Sequence, residues 1–158
     1  VSDDAVRQAI KGFGGIEHRM EYVGVYNGIT FYNDSIATIP TAVMGAVKAL
    51  GNVDTLLFGG LDRGIDYDAF VEFLNSCDVN NLVGLPETGH NIINRLKAMG
   101  CTKNMLCASD MAEGVELCKK HTREGKSCLF SPAAASYNYY KNFEEKGKHY
   151  KACIRAEA

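Results

Sequence analysis

Residues 40–60, with the sequence PTAVMGAVKALGNVDTLLFGG, decide the fold class. Pro40 suits the first turn of a helix, and the apolar spacing predicts that this helix runs to Leu50. The mostly apolar run from Val53 to Phe58 predicts a buried strand, which ends at the pair Gly59-Gly60. A helix followed closely by a buried strand is typical of a parallel sheet that helices cover.

The same alternation of helix and strand runs through the rest of the chain. Near the start, Asn27-Gly28 joins two strand-like runs, and both residues tolerate the positive φ that a tight hairpin requires. The predicted strands cover residues 21–26, 29–32, 53–58, 79–83, 104–107 and 127–130. The predicted helices cover residues 3–12, 40–50, 66–75, 88–99, a segment that Asp110 caps and that ends at 121, and about 136–146. We therefore expect an α/β fold, a Rossmann-like three-layer sandwich with a mostly parallel sheet and an N-terminal antiparallel hairpin near its edge or top.

The composition is that of one ordinary globular domain. The chain has 158 residues, of which 46% are hydrophobic and 23% charged, so residues 1–158 are expected to form a single domain. The formal net charge of −2 offers no basic excess for nucleic acid or an anionic membrane. No apolar run approaches the length of about 18 residues that spans a bilayer. We therefore expect neither nucleic-acid nor membrane partners.

The six cysteines lack the spacing of a zinc site. They are predicted to be reduced thiols, buried in apolar segments of a cytoplasmic protein. The chain starts at Val1, with no initiator Met and no signal-peptide pattern, so we expect one domain of a longer protein. Processing of the chain or an expression tag is the alternative explanation.

Polar and glycine-rich segments follow three of the predicted strands. They are Asn33–Thr38, Gly59–Gly64 and Ser131–Ser136. In an open α/β sheet, the carboxyl ends of parallel strands meet at one edge, where ligands bind. Taken singly, each segment could be a turn or a helix cap and nothing more. Because all three fall at the same end of the sheet, we expect them to converge on one site.

The side chains of these segments suit an anionic ligand that also carries hydroxyl groups. Arg63 has a planar fork of donors that fits a carboxylate. Ser136 is expected to begin the last helix, whose free N–H groups favour an anion. Asp34 can accept hydrogen bonds from paired hydroxyls such as those of a ribose. Arg19, just ahead of the first strand, could reach a phosphate or could pair on the surface with a neighbouring glutamate.

Several motifs of nucleotide chemistry are absent from the sequence. There is no Gly-x-x-x-x-Gly-Lys-Ser/Thr phosphate loop, and no Gly-x-Gly-x-x-Gly fingerprint follows a strand. No pair of carboxylates is distinguished as magnesium ligands, so no metal site is predicted in this chain. Tyr137, Tyr139 and Tyr140 are expected to pack the last helix rather than to stack nucleic-acid bases.

Four motifs together resemble one family. They are His18-Arg19-Met20-Glu21, Asn33-Asp34-Ser35-Ile36-Ala37-Thr38, Gly59-Gly60-Leu61-Asp62-Arg63-Gly64, and Ser131-Pro132-Ala133-Ala134-Ala135-Ser136 with Asn142-Phe143-Glu144. In this order, over about residues 5–150, they resemble the carboxyl-terminal domain of the Mur ligases, and most of all the members that add D-glutamate. Such enzymes have three domains, of which the central one carries the phosphate loop.

The resemblance implies two sets of ligand-binding residues. The set expected to bind ATP is Arg19, Asn33 and Asp34. The set expected to bind D-glutamate is Thr38, Arg63, Ser136 and Phe143. Within these sets, Arg19 corresponds to the family arginine at the phosphates, Asp34 to the aspartate at the ribose, and Phe143 to the side chain that closes the amino-acid pocket. No residue is assigned as a general base.

The reaction that the resemblance implies is amide formation driven by ATP. The carboxylate of UDP-N-acetylmuramoyl-L-alanine becomes an acyl phosphate, and the amine of D-glutamate attacks it. Mg²⁺ accompanies ATP, and its ligands are expected in the central domain, outside this chain. The chain is expected to work with its own N-terminal and central domains and to be inactive alone. The alternatives are another amide ligase, for a different amino acid or for folate polyglutamylation, and a Rossmann-like binding module without catalysis.

The chain departs from the family pattern at four positions. Ile36 and Ile39 replace the Lys and Asn of many members, so no polar role is expected there. Ala134 replaces a cysteine of many members, which indicates that this thiol is not required for the chemistry. Arg63 replaces the Lys of some members; both are cationic, but a guanidinium binds a carboxylate with a different geometry.

Overall fold

In a computed structural model, residues 2–156 are described and form one six-stranded sheet with helices on both faces. In chain order the elements are α1 (Asp3–Gly12), β1 (Glu21–Tyr26), β2 (Ile29–Asn33), α2 (Pro40–Leu50), β3 (Val53–Phe58), α3 (Asp68–Ser76), β4 (Asn81–Gly84), α4 (Thr88–Ala98), β5 (Asn104–Cys107), α5 (Met111–His121), β6 (Ser127–Phe130) and α6 (Phe143–Arg155). Val1, Glu157 and Ala158, at the two ends of the predicted single domain, lie outside the described residues.

The strands are arranged in the order β1-β2-β6-β3-β4-β5. β1 and β2 are antiparallel, and all other neighbouring pairs are parallel. The hairpin lies at one edge of the sheet, and its turn residues Asn27 and Gly28 have φ of 49° and 75°. A left-handed backbone at both turn residues is what a tight hairpin requires. The predicted α/β class and edge hairpin are therefore confirmed.

Successive residues of β3 point to opposite faces of the sheet and enter two separate parts of the core. Leu56 and Phe58 belong to the cluster that α2, α3 and α4 cover, whereas Leu57 belongs to the cluster that α5 and α6 cover. The sheet is thus buried on both faces, which explains why this strand reads as a continuous run rather than as an alternation.

The last helix differs most from the prediction, because α6 covers Phe143–Arg155 and not about 136–146. Asn142 caps this helix, since its side chain accepts a hydrogen bond from the Glu145 amide at 2.8 Å. Two glutamates in the first turn also favour a start at this point, because negative charge stabilises a helix amino terminus. The helix continues beyond the predicted end because buried apolar residues, Tyr150 and Ile154, extend its inner face.

The segment before α6 is held out of a helix by a tertiary contact. Ala135 forms an isolated antiparallel bridge with Leu61, so the chain next to Ser136 is extended. Ser136 therefore does not begin a helix, and the predicted anion site on helical N–H groups is wrong. Tyr137 and Tyr139 are exposed, so the prediction that they pack the last helix is wrong for these two, whereas Tyr140 hydrogen-bonds His149 of that helix at 2.9 Å.

Smaller differences concern element ends and thiols. α3 begins at Asp68 rather than Asp66, β4 covers Asn81–Gly84, and Thr88 is the first residue of α4 rather than its cap. All six cysteines are free thiols, as predicted, but only Cys118 and Cys128 are buried. The others lie nearer the surface because they occupy helix ends, loops and the edge strand.

α1 packs differently from the other helices. Within the part that the structure describes it has no buried residue, and Val6 and Ile10 on its apolar face are exposed. None of the helices in residues 2–156 has the length and apolar character needed to cross a bilayer.

A buried carboxylate ties the sheet together at the amino ends of its parallel strands. Asp54, in β3, is 1% exposed and accepts hydrogen bonds from Asn80 at 2.8 Å and from three nitrogens of Arg123 at 2.7–3.1 Å. Burial acts to raise the pKa of Asp54, but the side chain and amide of Arg123 outweigh it and hold that pKa below its usual range. The buried carboxylate at this end of the sheet therefore has hydrogen-bond donors for both of its oxygens.

Replacing Asp54 with Asn should cost about 2 kcal/mol of folding free energy near neutral pH, because the network loses its charged acceptor. A larger loss is not expected, since the Arg123 side chain is 63% exposed and partly screened by water. The folded pKa lies below the unfolded one, so the stabilisation is full above the unfolded pKa and is lost as pH falls through the folded value. The difference in unfolding free energy between the parent chain and Asp54→Asn, measured by urea unfolding at neutral and at acidic pH, should be largest at neutral pH and smaller at acidic pH.

The control for this experiment is Asp78→Asn, which removes an exposed carboxylate and should change little at either pH. A gap between Asp54→Asn and the parent chain of equal size at both pH values would contradict the assignment.

Candidate functional site

Three loops converge at the carboxyl ends of β2, β3 and β6, as the sequence predicts. Together with the start of α6 they enclose a cavity of about 210 Å³, called here the rim pocket. The residues that line it are Ile36, Thr38, Arg63, Ala135, Ser136, Tyr137 and Phe143. All four residues assigned to D-glutamate by resemblance are in this set, so the structure brings that set together.

Backbone hydrogen bonds join the loops that form the rim pocket. The amide of Leu61 donates to the carbonyl of Ala135 at 2.9 Å, and the amide of Ala133 donates to the carbonyl of Ala37 at 2.9 Å. A Cβ at Gly60 would lie 2.4 Å from the Ala135 carbonyl oxygen, so the two loops meet only because residue 60 has no side chain. The positions of Arg63 and Ser136 are fixed by this meeting point.

Two polar groups of the rim pocket lack partners within residues 2–156. Ser136 is 2% exposed, and its hydroxyl makes no hydrogen bond. Arg63 is exposed and forms no ion pair with the described residues, while the turn that carries it is closed by a bond from the Gly64 amide to Asp62 at 2.9 Å. A free guanidinium and a nearby buried hydroxyl without a partner, on two residues that line one cavity, are suited to an anionic ligand.

Asp34 lies on the same loop as Thr38 but does not line the rim pocket. Its carboxylate is turned inward, where it accepts the Ser131 hydroxyl at 2.7 Å and the Met20 amide at 3.0 Å. Burial raises the pKa of Asp34, while those two donors and the Arg19 guanidinium act against the shift. The acidic side chain of this loop is therefore a neighbour of Arg19 and not of Arg63.

Asn33 is fully buried, and its amide is occupied within the chain. It hydrogen-bonds the His18 ring at 3.0 Å and the Glu21 carboxylate at 2.9 Å, and its oxygen accepts from the Ser35 amide at 3.2 Å. Asn33 thus holds the start of the loop in place. Of the residues in the predicted ATP set, it is the most deeply buried.

Arg19 is exposed and makes no ion pair in the part of the chain that the structure describes. The two glutamates beside it, Glu17 and Glu21, instead bind the Lys151 ammonium at 2.9 and 2.8 Å. The surface ion pair that the spacing allowed for Arg19 is therefore absent, and its guanidinium faces solvent. Lys151 was missed by sequence reasoning, since it follows a basic stretch that looks solvated.

One group of side chains in residues 2–156 has the spacing of metal ligands. The ligand atoms of Glu17, His18 and Glu21 lie within 4.8 Å of one another. The Lys151 ammonium, hydrogen-bonded to both carboxylates, already supplies the positive charge there. The group is explained as a partly exposed ion-pair network, and the prediction that this chain holds no metal stays a prediction.

A wider cleft of about 580 Å³ adjoins the rim pocket and shares Ile36 and Phe143 with it. Its other lining residues are Ile16, Glu17, His18, Lys141, Asn142, Glu144, Glu145 and Lys148. The two apolar side chains form the boundary between the cavities. A ligand in the rim pocket would therefore lie directly beside this cleft.

The comparison with known families is decisive at this point. The family described as "Mur ligase, glutamate ligase domain" matches residues 18–134. The chain belongs to the Mur ligase family. Members of this family are ATP-dependent amide-forming ligases. The resemblance carried by the four motifs is therefore confirmed.

Relatives place this Mur ligase domain more narrowly. The UDP-N-acetylmuramoylalanine–D-glutamate ligase of Lachnoclostridium phytofermentans is 37% identical over 153 residues, which are 97% of this chain and 33% of that enzyme. The chain thus spans about a third of the length of the curated relatives that it matches.

Solved structures confirm the fold. The bifunctional folylpolyglutamate synthase/dihydrofolate synthase of Yersinia pestis aligns with a TM-score of 0.67 at 15% identity, over 96% of this chain and 34% of that one. The MurF ligase of Thermotoga maritima, solved in complex with ADP, aligns with a TM-score of 0.60 at 13% identity, over 98% and 37%. At these identities the likeness establishes the fold alone.

Ser136→Ala should leave this Mur ligase domain as stable as before or up to about 1 kcal/mol more stable, because the substitution removes a buried hydroxyl that has no partner. Ser131→Ala is the matched control, since its hydroxyl donates to the buried Asp34 carboxylate at 2.7 Å. That variant should lose about 1–2 kcal/mol. Urea unfolding of the two variants compares them directly, and a larger loss for Ser136→Ala than for Ser131→Ala would contradict the assignment.

Proposed function

We propose that this chain is the carboxyl-terminal domain of an ATP-dependent UDP-N-acetylmuramoyl-L-alanine:D-glutamate ligase, and that its rim pocket holds D-glutamate. The observation that carries the proposal is the set of four lining residues, Thr38, Arg63, Ser136 and Phe143, with a free guanidinium and an unpartnered hydroxyl among them. The D-glutamate ligases among the relatives support the same substrate. The complete enzyme has two further domains, acts in the cytoplasm and contributes to peptidoglycan synthesis.

The chemistry of the rim pocket matches a short dicarboxylic amino acid. Arg63 can bind one carboxylate with two parallel N–H donors. The hydroxyls of Ser136 and Thr38 donate to the other carboxylate, and the ring of Phe143 covers the methylene groups between them. In this pose the amine faces the adjoining cleft. A diamino acid would instead require acidic side chains where this pocket has Arg63.

The edge beside the rim pocket suits the nucleotide. Arg19 is a free cation for phosphate oxygens, and the neighbouring Asp34 can accept the hydroxyls of a ribose when it is ionised. Asn33 contributes by fixing the loop that carries Asp34. Mg²⁺ supplies charge stabilisation at the phosphates when ATP is bound. Its ligands come from the rest of the enzyme, because Lys151 already occupies the metal-like group of Glu17, His18 and Glu21.

In this proposal the domain acts mainly by position. It holds the amine of D-glutamate where the activated carboxylate of UDP-N-acetylmuramoyl-L-alanine arrives from the other domains. Fixing two reactants in this way can lower the activation free energy by about 7–11 kcal/mol. Half of each binding site lies outside this chain, so the chain alone is expected to bind its ligands weakly and to be inactive.

Arg63→Met in the complete enzyme should raise the KM for D-glutamate about 10- to 100-fold and leave the KM for ATP unchanged, because one charged hydrogen-bonding partner of the amino acid is lost. The KM for D-glutamate of Arg63→Lys should lie between those of the parent enzyme and Arg63→Met, because the charge remains but the planar pair of N–H donors is lost. The measurement is the rate of phosphate release by the full-length protein that contains this chain, at a series of D-glutamate concentrations. Arg95→Met removes an exposed arginine of α4 and serves as the control.

The same assay separates the alternatives. Activity with D-glutamate supports the proposal. Activity only with L-glutamate on a folate substrate, or with a diamino acid, would favour another ligase of the family. No ATP-dependent ligation with any of these would favour a binding module.

Asp34→Asn should raise the KM for ATP about tenfold, because the ribose hydroxyls lose a charged acceptor. Folding stability should change by less than about 1 kcal/mol, since the amide can still accept from Met20 and bond Ser131, and a buried charge is removed. Steady-state kinetics and urea unfolding measure the two effects. An unchanged KM for ATP would remove Asp34 from the nucleotide site.

A further inference from the structure

Lys146 is a buried cation that has no counter-charge. It is 2% exposed, on the inner face of α6, and its ammonium donates one hydrogen bond, to the Gly59 carbonyl at 2.8 Å. No carboxylate within residues 2–156 pairs with it; the rings of Phe130 and Tyr140 lie 5.8 and 6.0 Å away. Burial lowers the pKa of Lys146 to about 8, because an ammonium removed from water favours its neutral form.

The ammonium of Lys146 lies where the elements of the rim pocket meet. Gly59 begins the loop that carries Arg63. A Cβ built at Gly60 would lie 3.0 Å from the Lys146 nitrogen and 2.4 Å from the carbonyl of Ala135, so the ammonium abuts the junction of two loops. Phe143, the aromatic wall of the pocket, is one turn earlier on the same helix.

A second lysine of α6 shows what a stabilising contact in this helix looks like. Lys151 is also buried, but its ammonium pairs with two glutamates and fastens the helix to the hairpin edge. Lys146 has no such partners, and a buried unpaired charge generally costs folding free energy. Its contact with Gly59 is therefore better explained by the geometry of the pocket than by stability.

We propose that Lys146 is a positioning residue for the rim pocket, which fixes the Gly59-Gly60 backbone against α6 so that Arg63, Ser136 and Phe143 keep the separation that the amino acid requires. The inference rests on the proposed function of the pocket. It adds a residue that touches neither ligand and acts through the loop that holds Arg63.

The test compares Lys146→Met, Lys146→Arg and Lys151→Met in the complete enzyme. Lys146→Met should raise the KM for D-glutamate about tenfold, because small displacements of binding groups are costly, with kcat and the KM for ATP within about twofold of the parent. Its melting temperature should not fall. Lys146→Arg should restore the KM, since a cavity of about 260 Å³ beside residue 146 leaves room for the larger head group. Lys151→Met should lower the melting temperature and leave the KM for D-glutamate unchanged.

Three outcomes would overturn the proposal. One is an unchanged KM for D-glutamate in Lys146→Met. Another is an equal rise of both KM values with a lower melting temperature, which is the behaviour of a structural lysine. The third is a Lys146→Met protein that does not fold, because Lys146 would then be needed for the core and not for the pocket.

A second readout separates this inference from the proposed function. In the chain itself, the Leu61 amide is held by the Ala135 carbonyl at 2.9 Å. Lys146→Met should speed hydrogen exchange of that amide, and Lys146→Arg should not. If the complete enzyme proves inactive with D-glutamate, the exchange experiment still decides whether Lys146 fixes the loop. Unchanged exchange in Lys146→Met would refute the positioning role by itself.

Discussion

The backbone at Gly60 lies so close to the carbonyl of Ala135 that a Cβ at position 60 would come within 2.4 Å of that oxygen. The next amide, of Leu61, donates to the same carbonyl. β3 and β6 are neighbours in the sheet, so the loops that follow them leave the sheet side by side and are joined at this point. Arg63 and Ser136 diverge from the junction, and the width of the rim pocket depends on it.

The two ends of the parallel strands differ in how completely their polar groups are satisfied. At the amino end, the buried Asp54 carboxylate has several donors, and its pKa is lowered. At the carboxyl end, the Ser136 hydroxyl has no partner and burial raises the pKa of Asp34. Polar groups that a fold leaves costly or unsatisfied are most readily explained by a ligand that satisfies them. The stabilising network and the proposed binding site thus lie at opposite ends of the parallel strands.

Local signals were sufficient for most of the fold. The Asn27-Gly28 turn and the buried strand Val53–Phe58 were predictable because their backbone requirements are set by a few adjacent residues. The convergence of three loops followed from the parallel sheet alone. The start of α6 was not predictable, since Ser136 and Asn142 are both cap-forming residues, and the bridge between Leu61 and Ala135 decides between them.

The parts of the site that sequence reasoning missed depend on contacts between distant residues. Asp34 is turned inward by a hydroxyl 97 positions away in the chain, at Ser131. Lys146 and Lys151 occur in a stretch with the composition of a solvated helix face, and nothing local shows that one contacts a loop and the other a hairpin. Spacing along one helix gives the face of a residue but not what lies opposite it.

The exposure of Arg63 has a consequence for how an amino acid would be held. A carboxylate and a guanidinium that pair in water contribute only about 0–1 kcal/mol of favourable free energy. The entropic cost of ordering the bound amino acid reduces that contribution further. The same contacts strengthen when water is removed, because the effective dielectric constant falls. The rim pocket adjoins the cleft that shares Ile36 and Phe143 with it, so in the proposed ligase a domain that covers both would exclude water from Arg63. In the proposed ligase, tight binding of the nucleophile and arrival of the activated carboxylate would then occur in one closing step, which protects the reactive intermediate from hydrolysis.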